Sequence, residues 1–145
     1  MTELWPSLLR IVVGIYWLYF ASQKWQGIGW MQDVLVSAAR VNPIPGLHEL
    51  LVNIVVPHWV PFALAQTIAE NVVAVLLILG LATRWVGALG LLLAVNLALT
   101  VAFGVNDLGL RWLYYLAVLV NAQVIVSGPG PIALGRFGWV PVWLR

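Results

Sequence analysis

Residues 61–84 read PFALAQTIAENVVAVLLILGLATR. A membrane-spanning helix needs about 20 predominantly apolar residues, and this run meets that length with one acid, Glu70, well inside it. A carboxyl near bilayer depth costs roughly 2.5–3.5 kcal/mol on insertion scales, so it should face protein or water rather than lipid. The remainder of the chain reads as what surrounds this helix and gives Glu70 its partners.

Composition agrees. Of 145 residues, 63% are hydrophobic and 8% charged, and nine are Trp; a soluble domain carries about 25% charged residues. The fold class expected is an all-α integral membrane four-helix bundle in contact with the lipid bilayer, a single domain over residues 1–145. The chain has no cysteine, which rules out a thiolate nucleophile, disulfide exchange, an iron–sulfur cluster or Cys-ligated zinc built from this chain. A net charge of +2 without a basic run gives no reason to expect nucleic acid. The opening MTELWPSLLR lacks the positive lead of a secretory signal, and no small-residue cleavage pattern follows, so the first apolar run is read as a retained helix.

Spanning helices are expected over about residues 6–25, 61–82, 84–103 and 110–127. Pro6 suits the first turn of a helix. Arg10 and Lys24 lie near the two ends of the first helix, where long side chains can snorkel to opposite interfaces. Arg10, Gly14, Trp17, Ala21 and Lys24 share one face of it. That face is either a close-packing surface or, at Lys24, a counter-charge near the outer mouth. Residues 26–60 are punctuated by Gly and Pro and hold two amphipathic segments, about 30–41 and 47–56, of the kind that lie in the interface or cover a bundle. Thr83 is the expected N-cap of the third helix, on which Gly90, Ala94, Ala98 and Ala102 form a small-residue stripe for close approach. Asn121 and Gln123 are expected inside the fourth helix, Gly128-Pro129-Gly130-Pro131 ends it, and the tail IALGRFGWVPVWLR is expected along the interface. Basic residues divide four inside (Arg10, Arg84, Arg136, Arg145) against three outside (Lys24, Arg40, Arg111) when both termini are cytoplasmic.

Alternating helices place the polar residues Glu70, Asn96 and Asn121 in the middle or outer half of the membrane, with Lys24 above them. Buried polar groups need partners, so Glu70 is expected either protonated and donating to an amide or ionised and paired with Lys24. The candidate binding residues are Glu70, Lys24, Asn96, Asn121, Gln66 and Arg10. They form either a structural polar knot or a site for a proton or a quinone-like head group. No catalytic residue is assigned. His48, His58 and Glu49 match no metal-ligand spacing, and no metal site is expected.

Leu9-Arg10 with Gly14 and Lys24, Pro57, Glu70, LILGLATR (77–84), RWLYYL (111–116) and the Gly128–Gly130 stop together resemble the DoxX family of small four-helix membrane proteins. That family is related to the DoxD small subunit of thiosulfate:quinone oxidoreductase. Ala21 stands where the family usually has Gly, and Ala133-Leu134-Gly135 where Ser-Leu-Asp is common. The resemblance implies a bacterial or archaeal cytoplasmic membrane and membership of a quinone-linked redox complex, as membrane anchor or quinone-site subunit. A quinone is the one cofactor it implies, and another protein subunit the partner. The alternative is a non-catalytic accessory subunit packed against a larger respiratory or photosynthetic complex. A conduit for ions or small molecules ranks last, since one intramembrane acid and no inverted repeat argue against it.

Overall fold

Helices form over the apolar runs of the sequence, and the two longest end at glycine, one at Gly80 and the other at Gly128. The computed structural model describes residues 4–138, 140 and 141. It contains α1 (Trp5–Ser22), α2 (Trp30–Val41), α3 (Pro45–Leu50), a π-helical turn (Leu51–Val55) and α4 (Trp59–Leu79). There follow α5 (Thr83–Leu99), α6 (Val101–Gly104), α7 (Leu108–Ser127) and a 3-10 turn (Leu134–Arg136). The described residues contain no strand. Three helical stretches are long and apolar enough to cross a membrane: Trp59–Leu79, Thr83–Gly104 and Leu108–Ser127. α1 is not one of them, because its 18 residues include Arg10, Pro6 and four Trp or Tyr.

Close approach is set by missing side chains. α1 lies antiparallel to α4, and a Cβ on Gly14 would stand 2.7 Å from Ile78 Cγ1 and 3.1 Å from the Ala74 carbonyl oxygen. α5 lies antiparallel to α7 over Gly87 and Gly90, the latter against the Asn121 side chain. The stripe of Gly90, Ala94, Ala98 and Ala102 is buried throughout. α5 is the central span, with 44% of its apolar window buried by its own chain against 28% for α4 and 22% for α7. Most of the remaining surface of these helices, including Ile68, Leu92, Leu119 and Val126, is exposed and apolar, as suits a lipid-facing surface.

The α4–α5 hairpin ends in a Schellman motif: Leu81 N–H donates to the Leu76 carbonyl at 3.0 Å and Gly80 N–H to Leu77 at 3.2 Å. Gly80 carries the left-handed φ of +74° that the motif needs. Ala82, also left-handed, precedes α5 without a side-chain cap, and Thr83, the expected N-cap, is the first helical residue instead. At the far end of the chain, Asp107 caps α7 by accepting from Leu110 N–H at 2.6 Å.

Arg10 is 1% exposed and does not snorkel. Its guanidinium donates to the carbonyls of Leu77 and Ile78 (2.8 Å) at the C-terminus of α4, and to Pro129 (3.2 Å) and Ile132 beyond α7. Carbonyls at a helix C-terminus carry partial negative charge, so the cation is balanced without a carboxylate. Ser7 Oγ accepts from Ile132 N–H at 3.0 Å beside it. Gly130, at φ +70°, leaves no room for a Cβ against the Ser7 backbone. Of the tail expected along the interface, residues 133–135 instead pack on the hairpin, where Gly135 N–H donates to the Gly80 carbonyl at 3.2 Å. Trp139 and residues 142–145, Arg145 among them, lie outside the described residues.

The stretch Thr83–Gly104 breaks at Thr100, whose hydroxyl donates to the Asn96 carbonyl at 2.6 Å. The Leu99 carbonyl released by the break accepts from Asn42 Nδ2 at 2.8 Å. That bond anchors the end of α2 on α5, and Ala38 and Ala39 of α2 are buried beside it. The second amphipathic segment divides into α3 and a π turn, closed by Val56 N–H to the Leu51 carbonyl at 2.9 Å. The wider turn keeps Leu51 and Val55 buried together against Ala39.

Replacing Arg10 by Met removes a donor from four carbonyls, of which Leu77 keeps the Gly80 N–H, and each carbonyl left buried without a partner costs about 1–3 kcal/mol. We expect Arg10→Met, and to a lesser degree Arg10→Lys, to lower the thermal unfolding midpoint in mild detergent by several degrees. Gly29→Ala, which meets nothing within 4 Å, should leave it unchanged.

Candidate functional site

Lys24 lies just past the end of α1 and Glu70 in the middle of α4, and the antiparallel packing of those helices brings them into a buried ion pair. Lys24 is 7% and Glu70 1% exposed. Lys24 Nζ donates to Glu70 Oε2 and, at 3.2 Å, to the Phe20 carbonyl. Gln66, one turn before Glu70, donates from Nε2 to Oε1 at 2.7 Å. Both carboxylate oxygens therefore accept a hydrogen bond, and Lys24 keeps one of its three N–H donors free of these contacts. A buried pair is tolerable only when its geometry and additional hydrogen bonds offset desolvation, and here both conditions are met. Of the two arrangements expected for Glu70, the structure has the one paired with Lys24.

The three residues, with Gln23, supply the charged and amide groups in the wall of a cavity of about 480 Å³. Tyr16, Tyr19 and Phe20 of α1 and Leu110, Leu113 and Tyr114 of α7 line its sides, with Leu97 and Val101 at α5–α6. Trp30, Met31, Val34 and Leu35 of α2 cover it. A ligand pocket of about 300–1,000 Å³ lined by apolar and aromatic side chains with a few convergent polar groups is the usual form of a small-molecule site. The Tyr16 hydroxyl is buried with no hydrogen-bond partner. Aromatic rings run in a chain along one wall: Tyr16 to Phe20 at 4.8 Å and Phe20 to Tyr114 at 6.1 Å between centroids.

Three of the expected site residues are elsewhere. Asn121 is fully buried, but its Oδ1 accepts from Trp17 Nε1 at 3.2 Å and its Nδ2 donates to the Ala117 carbonyl at 2.8 Å. It is a pin between α1 and α7, below the cavity. Asn96 is exposed and lines a separate, smaller cavity. Arg10 is held at the opposite end of α1 by the carbonyls described above. Gln123 faces outward, because two residues turn a helix by about 200° and so set it opposite Asn121. His48 and His58 each donate from Nδ1 to a backbone carbonyl, of Ala39 at 2.7 Å and Ile54 at 3.0 Å, which fixes their tautomers. No group of three or more potential metal ligands occurs among the described residues.

Sequence reading missed Tyr16, Phe20 and Tyr114. The signal was there for two of them: Tyr16, Phe20 and Lys24 follow at intervals of four, a stripe adjacent to the Arg10–Lys24 face. The α2 side chains had no such signal, since nothing local says what an amphipathic segment covers.

Apolar spans, internally satisfied charges and an enclosed, mostly apolar pocket define a multi-pass helical integral membrane protein. The chain belongs to the DoxX family, whose model matches residues 6–104. That stretch includes Arg10, Lys24, Gln66 and Glu70 and ends just before α7. No curated protein and no solved structure gives a significant match.

Infrared difference spectra of wild type against Glu70→Gln should show loss of carboxylate bands and no protonated carboxyl stretch. Lys24→Met should then bring a protonated stretch into the spectrum. Breaking a buried pair from one side costs about 3–5 kcal/mol, so Lys24→Met should destabilise the fold more than the double change Lys24→Met, Glu70→Gln.

Proposed function

We propose that the chain crosses the membrane four times and binds a quinone head group in the larger cavity, as the membrane subunit of a quinone-linked redox complex. The observation that carries this reading is the cavity whose wall holds the Lys24–Glu70 pair together with Tyr16, a residue whose buried hydroxyl has no hydrogen-bond partner. A buried hydroxyl without a partner costs about 1–3 kcal/mol, and a small turn of the ring toward a ligand carbonyl in the cavity would recover that. The free N–H of Lys24 supplies a second donor. The pair is neutral as a unit, which suits a neutral head group, and the rings of Phe20 and Tyr114 suit a flat one. The ammonium and carboxylate also put a proton donor and acceptor on the cavity wall. With no cysteine, the chain can offer neither a thiolate-ligated cluster nor a redox disulfide. Electrons for the quinone would therefore come from another subunit, of the thiosulfate:quinone oxidoreductase type or a related one.

In this reading α1 is the fourth span, since packing against α4 satisfies its one charge internally. α2 and α3 lie in the outer interface. Both termini face the cytoplasm of a bacterial or archaeal cell. Arg84 and Arg136 remain on the inner side as exposed cations, the distribution that retention of positive loops favours.

The test is saturable quenching of tryptophan fluorescence by a chainless benzoquinone, with the purified protein in lipid nanodiscs; Trp30 on the cavity wall is the reporter. Wild type should bind. Tyr16→Phe should weaken binding about tenfold, the equivalent of one hydrogen bond of about 1.4 kcal/mol, and Glu70→Gln should weaken it further. Quenching that never saturates, or that ignores both changes, would sink the quinone reading.

A further inference from the structure

The larger cavity has a neighbour. A second cavity of about 180 Å³ lies between α3, the π turn, α4 and α5. Met31, Leu35, Gln66, Leu97 and Val101 line both cavities, so one layer of side chains separates them. Their chemistry differs. The larger cavity gathers Lys24, Glu70 and three tyrosines. The smaller one is walled by Leu47, Leu50, Leu51, Val55, Phe62 and Ala63. Its two polar residues beyond the shared wall offer little: the Thr100 hydroxyl already donates to the Asn96 carbonyl, and the Asn96 side chain is exposed.

Size excludes an independent ligand, since 180 Å³ is below the roughly 300 Å³ at which pockets hold a whole small molecule. It is a fitting volume for part of an apolar chain. The outer rim supports that reading: Leu50 and Phe62 line the cavity and are 45% and 44% exposed, so it opens on the apolar outside of the protein. The partition between the cavities includes Met31, an unbranched, adaptable side chain, on the half of α2 that is not anchored by Asn42. A π turn, Leu51–Val55, forms the far wall, and such turns occur frequently at functional sites.

We propose that the two cavities are the head and tail chambers of one site, and that its ligand is an amphiphile with a single apolar chain. The head occupies the larger cavity; the chain passes Met31 and Leu35 and leaves for the bilayer between Leu50 and Phe62. The chamber assignment rests on the proposed function for the identity of the head, and the experiments separate the two.

The first measurement compares a chainless benzoquinone with a decyl-chain benzoquinone on wild type and on Ala63→Phe, which fills the smaller cavity from its buried wall. The expected result is a tenfold or greater loss of affinity for the decyl form with the chainless form unchanged. Equal effects on both, or none on either, overturn the tail chamber. Failure of the chainless form to bind wild type overturns the quinone head instead. The second measurement needs no variant. A benzoquinone with a photoreactive diazirine at the far end of its decyl chain should label wild type within residues 47–63. Labelling confined to α1 and α7 overturns the proposal. A phospholipid with the same group on one acyl chain serves as the comparison. Labelling of residues 47–63 by the phospholipid alone would keep the chamber and make its ligand a lipid.

Discussion

A charge inside hydrocarbon must find its partners within the protein, and this chain carries one at each end of α1. At one end Arg10 donates to carbonyls at the end of α4 and beyond α7, tying three segments far apart in sequence. At the other, Lys24 closes on Glu70. The two sets of contacts fix α1 against α4 in direction and register, because a shift by one turn would strand both cations. Gly14 lets the helices approach between them. Everything built on that pair, including the position of α5 and α7 on its other side, depends on both charges being answered.

The two ends then serve different purposes. The Arg10 end is closely filled: four of its five N–H donors go to carbonyls, and Ser7 and the Gly80 turn pack around it. The Lys24 end is saturated at Glu70 but open around it. A 480 Å³ space is walled by the Lys24–Glu70 pair and by Tyr16, whose buried hydroxyl has nothing to bond. A space of that size beside unspent hydrogen bonds is the place where a ligand would gain most.

The break at Thr100 and the bond from Asn42 have a consequence for that space. Together they hold the C-terminal half of α2 on α5, and Gly104 packs against Ala38 there. The other half, Trp30 to Leu35, reaches over the cavity from a turn containing Gly27 and Gly29, where an added Cβ would meet nothing within 4 Å. The cover is thus fixed at one end and supported at the other mainly by what lies beneath it.

Composition and apolar period determined by themselves that the chain is helical and belongs in a membrane, and the acid in residues 61–84 marked α4 as the helix needing a partner. The small-residue stripe on α5 and the Arg10–Lys24 face of α1 were likewise legible, since helical spacing alone puts those residues on one side. Which polar groups meet was not. Asn121 and Asn96 carry the same amide group as Gln66, yet one pins Trp17, one is exposed, and only Gln66 reaches Glu70. That choice depends on the rotation of each helix about its axis, which is set by Gly14, Gly87 and Gly90 fitting against neighbours on other helices. The cavity is the residue of that fit, lined from four helices and a cover, and no single segment contains the information to specify it.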